Sequence, residues 1–259
     1  MRREHTTEAL ETHQAKALTI WKGMRVAVTG GTSGLGLALV RKLLDRGARV
    51  AFVARTRDAV ERLTRENPEA RGITGDVSKK DDIYSIAIQI LGALGGLDVL
   101  VNNASALGPV PLVPLADTNC EDFEIALQTN VLGPFRLTKA LLGALAASAR
   151  EGARPLVLNI SSDAAISAYP NWGAYGASKA ALHHLSLIWN EELALQGIRV
   201  ISLDPGDMDT RLHAAAVPDS DRSELKHPED AAQELIAKIA DLVSARQTNY
   251  VEAVPEVGQ

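Results

Sequence analysis

Apolar and polar positions alternate along the chain in two rhythms. Short, near-continuous apolar runs rich in β-branched residues fall at 24–29, 49–54, 99–102, 156–160 and 200–203. Runs of that kind predict strands buried on both faces of a parallel sheet. Between them lie Ala- and Leu-rich segments with apolar residues at helical spacing, such as Leu35, Leu39 and Leu43. Ser78 ahead of Asp81, and Thr118 ahead of Glu121, predict helix starts, each an N-cap with an acid three residues on. Pro228 predicts the first turn of a helix reaching about Ser244.

No linker, repeat or low-complexity tract interrupts this alternation. It predicts one α/β domain, a doubly wound parallel sheet with helices on both faces, over residues 21–259. Residues 1–20 read as a solvated extension. Residues 105–117 and 207–227 contain proline and read as loops, the second flanking a site as a substrate loop.

Composition narrows the class. The 259 residues are 46% hydrophobic and 23% charged, which excludes a disordered chain. A net charge of −5 with 4% aromatic residues disfavours a nucleic-acid partner. The single Cys120 excludes an intrachain disulfide framework and a cysteine zinc cluster. Glu4, Glu8 and Glu11 interrupt any signal-like apolar stretch, and no run approaches the roughly 18 apolar residues of a spanning helix. A cytoplasmic location without membrane contact is expected.

Candidate chemistry begins at Thr29-Gly30-Gly31-Thr32-Ser33-Gly34-Leu35-Gly36, between the first strand and an apolar helix. Glycine permits a tight turn with positive φ and lets backbone approach a pyrophosphate at a helix N-terminus. Gly30, Thr32, Ser33, Gly34, Leu35 and Gly36 are therefore candidate dinucleotide-binding positions. An NAD site places an acid on the ribose 2′-hydroxyl about 20 residues later. Here the second strand ends Ala54-Arg55. A guanidinium suits a 2′-phosphate, so Arg55 predicts NADP (as NADPH) rather than NAD. Arg57 fits the solvated first turn of the next helix equally well.

Tyr175 and Lys179 stand four residues apart, neighbours on one helical face. A nearby cation is expected to lower the phenol pKa from about 10, letting it pass a proton to a carbonyl. Ser161-Ser162 lie thirteen residues before Tyr175, at the end of the run 156–160 where open α/β sheets bind ligands.

These motifs, with Asp76-Val77, Asn102-Asn103-Ala104, Asn130 and Pro205-Gly206 in order between them, make the chain resemble the short-chain dehydrogenase/reductase family. The resemblance implies a Rossmann-type fold and an NAD(P)-dependent oxidoreductase interconverting a carbonyl and an alcohol. It implies Tyr175 as proton donor and acceptor, and Ser162 (Ser161 as fallback) as the group orienting the substrate oxygen. It implies Lys179 as the residue that lowers the tyrosine pKa and binds the nicotinamide ribose, and Asn130 as holder of a relay water. Asp76 and Val77 would contact adenine, Asn103 and Ala104 the adenosine ribose region, and Pro205, Gly206, Met208 and Thr210 the nicotinamide end. NADPH preference suggests the reductive direction, and family members pair through the helices holding Asn130 and Tyr175, as homotetramers or homodimers. No metal is expected. The alternatives are a non-catalytic dinucleotide sensor or scaffold, and a lyase or epimerase with bound cofactor, on the same fold.

The chain departs from the family pattern in several places. Ser105 replaces a usual glycine, Asp207 and Asp209 read as caps of the following segment, and the ending near 249–254 lacks the usual Asp-Gly-Gly. Pro134, four residues after Asn130, predicts a helix kink that frees the Asn130 carbonyl. Ser105, Leu107, Ala164, Ile166, Trp172, Met208 and His213 are expected to line a mostly apolar substrate pocket. His183-His184 and Cys120 read as structural.

Overall fold

The computed structural model describes residues 20–244. The extension expected at 1–20, apart from Ile20, and the strand expected near 249–254 lie outside the described residues. Six strands form one parallel sheet: β1 (Arg25–Thr29), β2 (Arg49–Ala54), β3 (Arg71–Thr74), β4 (Val99–Asn102), β5 (Leu156–Ile160) and β6 (Arg199–Leu203). Their order is β3-β2-β1-β4-β5-β6. Five match the expected runs. β3 was not expected, because only Ile73 of its four residues is buried and Gly72 interrupts the apolar signal.

Alternation along each strand feeds two cores. Val26 and Val28 of β1 join Leu39, Phe52, Leu63 and Leu235 on one face. Ala27 joins Val53, Ile86, Leu100, Leu141 and Trp189 on the other. The first core takes its helical cover from α1 (Gly34–Leu44), α2 (Arg57–Glu66) and α8 (Pro228–Ser244). The second takes it from α3 (Asp82–Leu94), α5 (Gly133–Arg150) and α6 (Gly173–Leu193). This is the doubly wound, Rossmann-type architecture. The order of its strands reverses between β1 and β4, opening a crevice at their carboxyl ends.

Two predicted caps are corrected. The third helix starts at Asp82 behind Asp81, and Ser78 donates its hydroxyl instead to Asp76 (2.7 Å). The helix α4 (Cys120–Leu127) starts behind Asn119, and Thr118 donates to the Pro114 carbonyl. In both cases a local turn claims the hydroxyl first. Between α4 and α5 the chain makes a π turn over Gln128–Leu132, and Gly133 N donates to Gln128 O. Pro134 follows directly. It has no N–H for the α-helical ladder, so the predicted break takes the form of a π turn.

Within 207–227 lies the short helix α7 (Arg211–Ala216). The loop is closed at its base by a parallel bridge between Met208 and Lys226. Asp209 N donates to Lys226 O (2.9 Å), and Asp209 accepts from Arg222 Nε (2.7 Å). Thr210 caps α7 by accepting from His213 N. The acids therefore tie the loop shut or face solvent, and do not cap the helix. Among the described residues no helix is long and apolar enough to cross a membrane.

Candidate active site

The glycine turn sits at the carboxyl end of β1. Gly30 has φ +69°, and its N–H donates to Val53 O of β2 (2.8 Å). Gly36 serves packing, since a Cβ there would run into the Gly30 carbonyl and reach within 2.5 Å of Asn103 Nδ2. Gly34 opens the first helix with φ +50°. A Cβ on it would lie 3.1 Å from the Thr210 methyl, so the turn and the 207–227 segment approach closely there. The Leu35 side chain is buried in the core, leaving only its backbone to face a ligand.

Asn103 backs this turn. Its amide donates to Thr29 O (2.9 Å) and Gly30 O (3.3 Å), while Asn103 N and Ala104 N both donate to Thr29 Oγ1 (3.0 Å). Asp76, expected at the adenine end, accepts from Ser78 N, so its carboxylate stabilises its own turn. The Val77 side chain is buried in the core and offers a ligand backbone only. Arg55 is exposed just past β2, without an ion pair among the described residues. Arg57 is likewise exposed, on the first turn of α2.

At the carboxyl end of β5 the chain turns through Ser162, whose oxygen accepts from Ala164 N (3.2 Å). Gly176 lets α6 approach this turn, a Cβ there reaching 3.0 Å from Ala164 O. Tyr175 on that helix is 7% exposed and Lys179 is 2% exposed. The Ser162 hydroxyl bears on the Tyr175 phenol. Ser161 is buried beside it, its N–H donating to Leu203 O. The sequence-predicted serine, tyrosine and lysine are thus brought together.

One electrostatic expectation is corrected. Burial pushes the Tyr175 phenol up to about 12, Asp204 and Asp163 act in the same direction, and the hydroxyls of Ser162 and Ser105 pull it back. Lys179 does not offset this. Its ammonium donates to the Ile160 carbonyl (2.8 Å) and lies 5.4 Å from the Tyr175 ring centroid. Burial draws Lys179 itself down to about 8, against the pull of Asp204.

Asn130 is fully buried in the π turn. Its side chain donates to Ala106 O (2.7 Å) and Ser178 Oγ (2.8 Å), and accepts from Ala106 N (2.8 Å) and Ser105 Oγ (3.1 Å). Around the phenol, Leu107, Ala164 and Tyr175 cluster with Leu112, Trp172, Ala215 and Ala216. The Trp172 and Tyr175 rings meet edge-on at 5.7 Å. Ile166 is 77% exposed and Met208 packs against the α1–α8 core, so neither joins that cluster. Leu112, in a loop, and Ala215 and Ala216, in a helix of only six residues, were missed because neither segment carries a periodic signal. Asp163, also missed, accepts from Tyr169 Oη (2.7 Å) and from Ser162 Oγ (3.0 Å). The Tyr169 hydroxyl foremost holds that carboxyl below its usual range.

The family model described as short chain dehydrogenase matches residues 24–221, which span both the glycine turn and the cluster of Ser162, Tyr175 and Lys179. The chain belongs to the short chain dehydrogenase family. This dehydrogenase is 29% identical to the glucose 1-dehydrogenase of Gluconobacter oxydans over 241 residues, 88% of each chain. Its fold is similar to that of a Shigella flexneri protein described as a short chain dehydrogenase complexed with NADP. That match has a TM-score of 0.77 at 26% identity and covers 85% of this chain and 91% of the other. A 3-ketoacyl-(acyl-carrier-protein) reductase from Brucella melitensis complexed with NADH has a TM-score of 0.76 at 26% identity, covering 86% and 92%. The expectation of an NAD(P)-dependent oxidoreductase on a Rossmann-type fold is met. Among the described residues no group of three or more His, Cys, Asp or Glu side chains could hold a metal.

Proposed function

We propose that this dehydrogenase is an NADP-dependent enzyme that reduces a carbonyl compound to an alcohol, with Tyr175 as the proton donor. The observation that carries the reading is the convergence of Ser162, Tyr175 and Lys179 at the crevice, beside a glycine turn fit for a dinucleotide. That fit rests on Gly34, where the helix opens at positive φ toward Thr210 and no side chain caps its N–H groups. Gly30, residues 32–36, Asp76, Val77, Asn103, Ala104, Pro205, Gly206, Met208 and Thr210 would hold the dinucleotide. Arg55, exposed at the end of β2, would pair with a 2′-phosphate. A bound nicotinamide supplies the hydride.

The protein's own residues position and protonate. Ser162 orients the substrate oxygen, and Tyr175 gives it a proton. A phenol held near 12 is fully protonated at neutral pH, which suits a donor in the reductive direction. Lys179 would face the nicotinamide ribose. The Asn130 side chain is committed to Ala106 and Ser178, so a relay water would fall to its main-chain carbonyl in the π turn. The cluster of Leu107, Leu112, Ala164, Trp172, Ala215 and Ala216 favours a medium-sized, partly apolar ketone. The catalytic domain spans 21–259 with its substrate loop at 207–227. Two copies would pair through α5 and α6, where Leu187 and Ile188 are exposed, and light scattering tests that association.

The decisive experiment compares kcat/KM for NADPH and NADH across a panel of carbonyl compounds. NADPH is expected to win. Arg55→Ala should lower its kcat/KM about tenfold and leave NADH unchanged, the value of one charge-assisted contact. A preference for NADH overturns the assignment.

A further inference from the structure

Beyond β5 the chain makes a tight turn, Asp163–Ala165. Backbone bonds hold it. Ala165 N donates to Ser162 O (3.0 Å), and Ile166 N and Ser167 N donate to Asp163 O (2.9 and 2.8 Å). The turn sets the Ser162 and Asp163 side chains against each other. The Asp163 carboxylate accepts from two hydroxyls, Ser162 Oγ at Oδ1 (3.0 Å) and Tyr169 Oη at Oδ2 (2.7 Å). Tyr169 is itself braced, its ring meeting that of Trp172 edge-on at 6.5 Å. The carboxylate is thus tied at both oxygens. The Tyr169 hydroxyl foremost keeps it below its usual range, so it is an anion at neutral pH.

Every position around the Ser162 oxygen but one is taken. A hydroxyl has one proton and two lone pairs. The proton goes to Asp163 Oδ1, a charged and therefore strong acceptor. One lone pair takes the Ala164 N–H (3.2 Å). The other is left, so any further group that meets Ser162 Oγ meets an acceptor. A carbonyl oxygen only accepts, whereas an alcohol also donates. This arrangement suits the alcohol, and a carbonyl compound has to draw the Ser162 proton away from Asp163.

We propose that Asp163 is a positioning residue that acts through Ser162 and sets the relative affinity of the site for a carbonyl compound and its alcohol. It holds the Ser162 proton, so the alcohol binds with the Ser162–Asp163 bond intact and the carbonyl compound binds only by breaking it. The proposal rests on the reading of Ser162 as the group that orients the substrate oxygen. In reduction the substrate carbon gains a hydride and its oxygen gains the Tyr175 proton. Ser162 keeps its own proton throughout and only changes acceptor. The product alcohol has an O–H of its own, so Ser162 can return its proton to Asp163 while that alcohol is still bound.

The test compares two ligands on one enzyme form. They are the ketone that the wild type reduces fastest in the carbonyl panel and the alcohol of the same carbon skeleton. With NADPH present, KM is measured for the ketone and the competitive inhibition constant for the alcohol. The kcat is recorded alongside, so that a change in KM is read apart from a change in turnover. In Asp163→Ala the ratio of the ketone constant to the alcohol constant is expected to fall about tenfold, the value of one hydrogen bond to a charged acceptor. Asp163→Asn, of the same shape but uncharged, should move the ratio the same way by about threefold or more. A turn that had only lost its shape would raise both constants together and leave the ratio where it was. A ratio unmoved in both variants, or moved in favour of the alcohol, overturns the proposal while the reduction stands. A wild type that reduces no carbonyl compound overturns the reading of the reaction, and the proposal with it.

Discussion

Residues 29–36 and residues 102–106 meet at the carboxyl ends of β1 and β4, and they present different parts of the chain. The glycine turn presents backbone, its shape fixed by missing Cβ atoms at Gly30 and Gly36. Opposite it, side chains do the presenting. Asn103 reaches across to Thr29 and Gly30, Ser105 and Asn130 bond to each other, and the phenol and ammonium of the sixth helix are buried behind them. A backbone site needs only spacing along the sequence. A side-chain site needs partners brought from elsewhere in the fold, as Ser178 is to Asn130 across 48 residues. The first should tolerate change in its exposed side chains and fail on added Cβ atoms, whereas the second should fail on single-group deletions.

Tyr175→Phe is the sharpest way to separate them. Removing one oxygen should cut kcat about 10²- to 10⁴-fold, the span of general acid catalysis. Dinucleotide binding, measured by fluorescence titration, should stay within about threefold, because the turn is untouched. Loss of binding along with turnover would mean that the two regions are not separable.

The same contrast governs what the sequence discloses. The strands buried on both faces are legible, as is the spacing of the glycines and of Ser162, Tyr175 and Lys179, because each is local in sequence. β3 is not, since it buries only Ile73. Nor are the hydroxyls of Ser78 and Thr118, which serve turns where a cap was expected. The raised phenol of Tyr175 is also hidden, because it depends on the depth of burial and on Lys179 being spent on the Ile160 carbonyl. The backbone on either side of Ser105 is hidden too, because Thr29 and Asn130, which hold it, lie 24 or more residues away.

Asn130→Ala tests the claim from the side-chain end. It leaves the Ala106 N–H and carbonyl without their partner, while Ser178 retains its bond to the Tyr175 carbonyl (2.6 Å). A loss of about 3 kcal/mol in urea unfolding is expected, from two buried backbone groups left unpaired. A loss below about 1 kcal/mol would show that the 104–107 segment holds its position without the clamp. Gly36→Ala tests the backbone end. Its Cβ would run into the Gly30 carbonyl, so the turn must move, at a cost of about 2 kcal/mol. Here dinucleotide affinity should fall with stability, the reverse of the Tyr175→Phe pattern.

The smallest effect concerns the buried ammonium, which belongs wholly to the side-chain region. Lys179 titrates near 8 in the folded protein against an ordinary 10.5. Between those values the unfolded chain binds a proton that the folded chain has released, so stability rises with pH across the window. Tyr175 acts higher and in the opposite sense. Raised from 10 to about 12, it contributes stability that is complete below 10 and lost as pH climbs through 12. Urea unfolding at about pH 7.5 and about pH 9.5 therefore samples the lysine and largely avoids the tyrosine. The wild type should gain about 2 kcal/mol over that range relative to Lys179→Met, which has no proton to release. Equal slopes for the two proteins would place the ammonium in contact with solvent, and the difference between the buried side-chain site and the backbone turn would narrow accordingly.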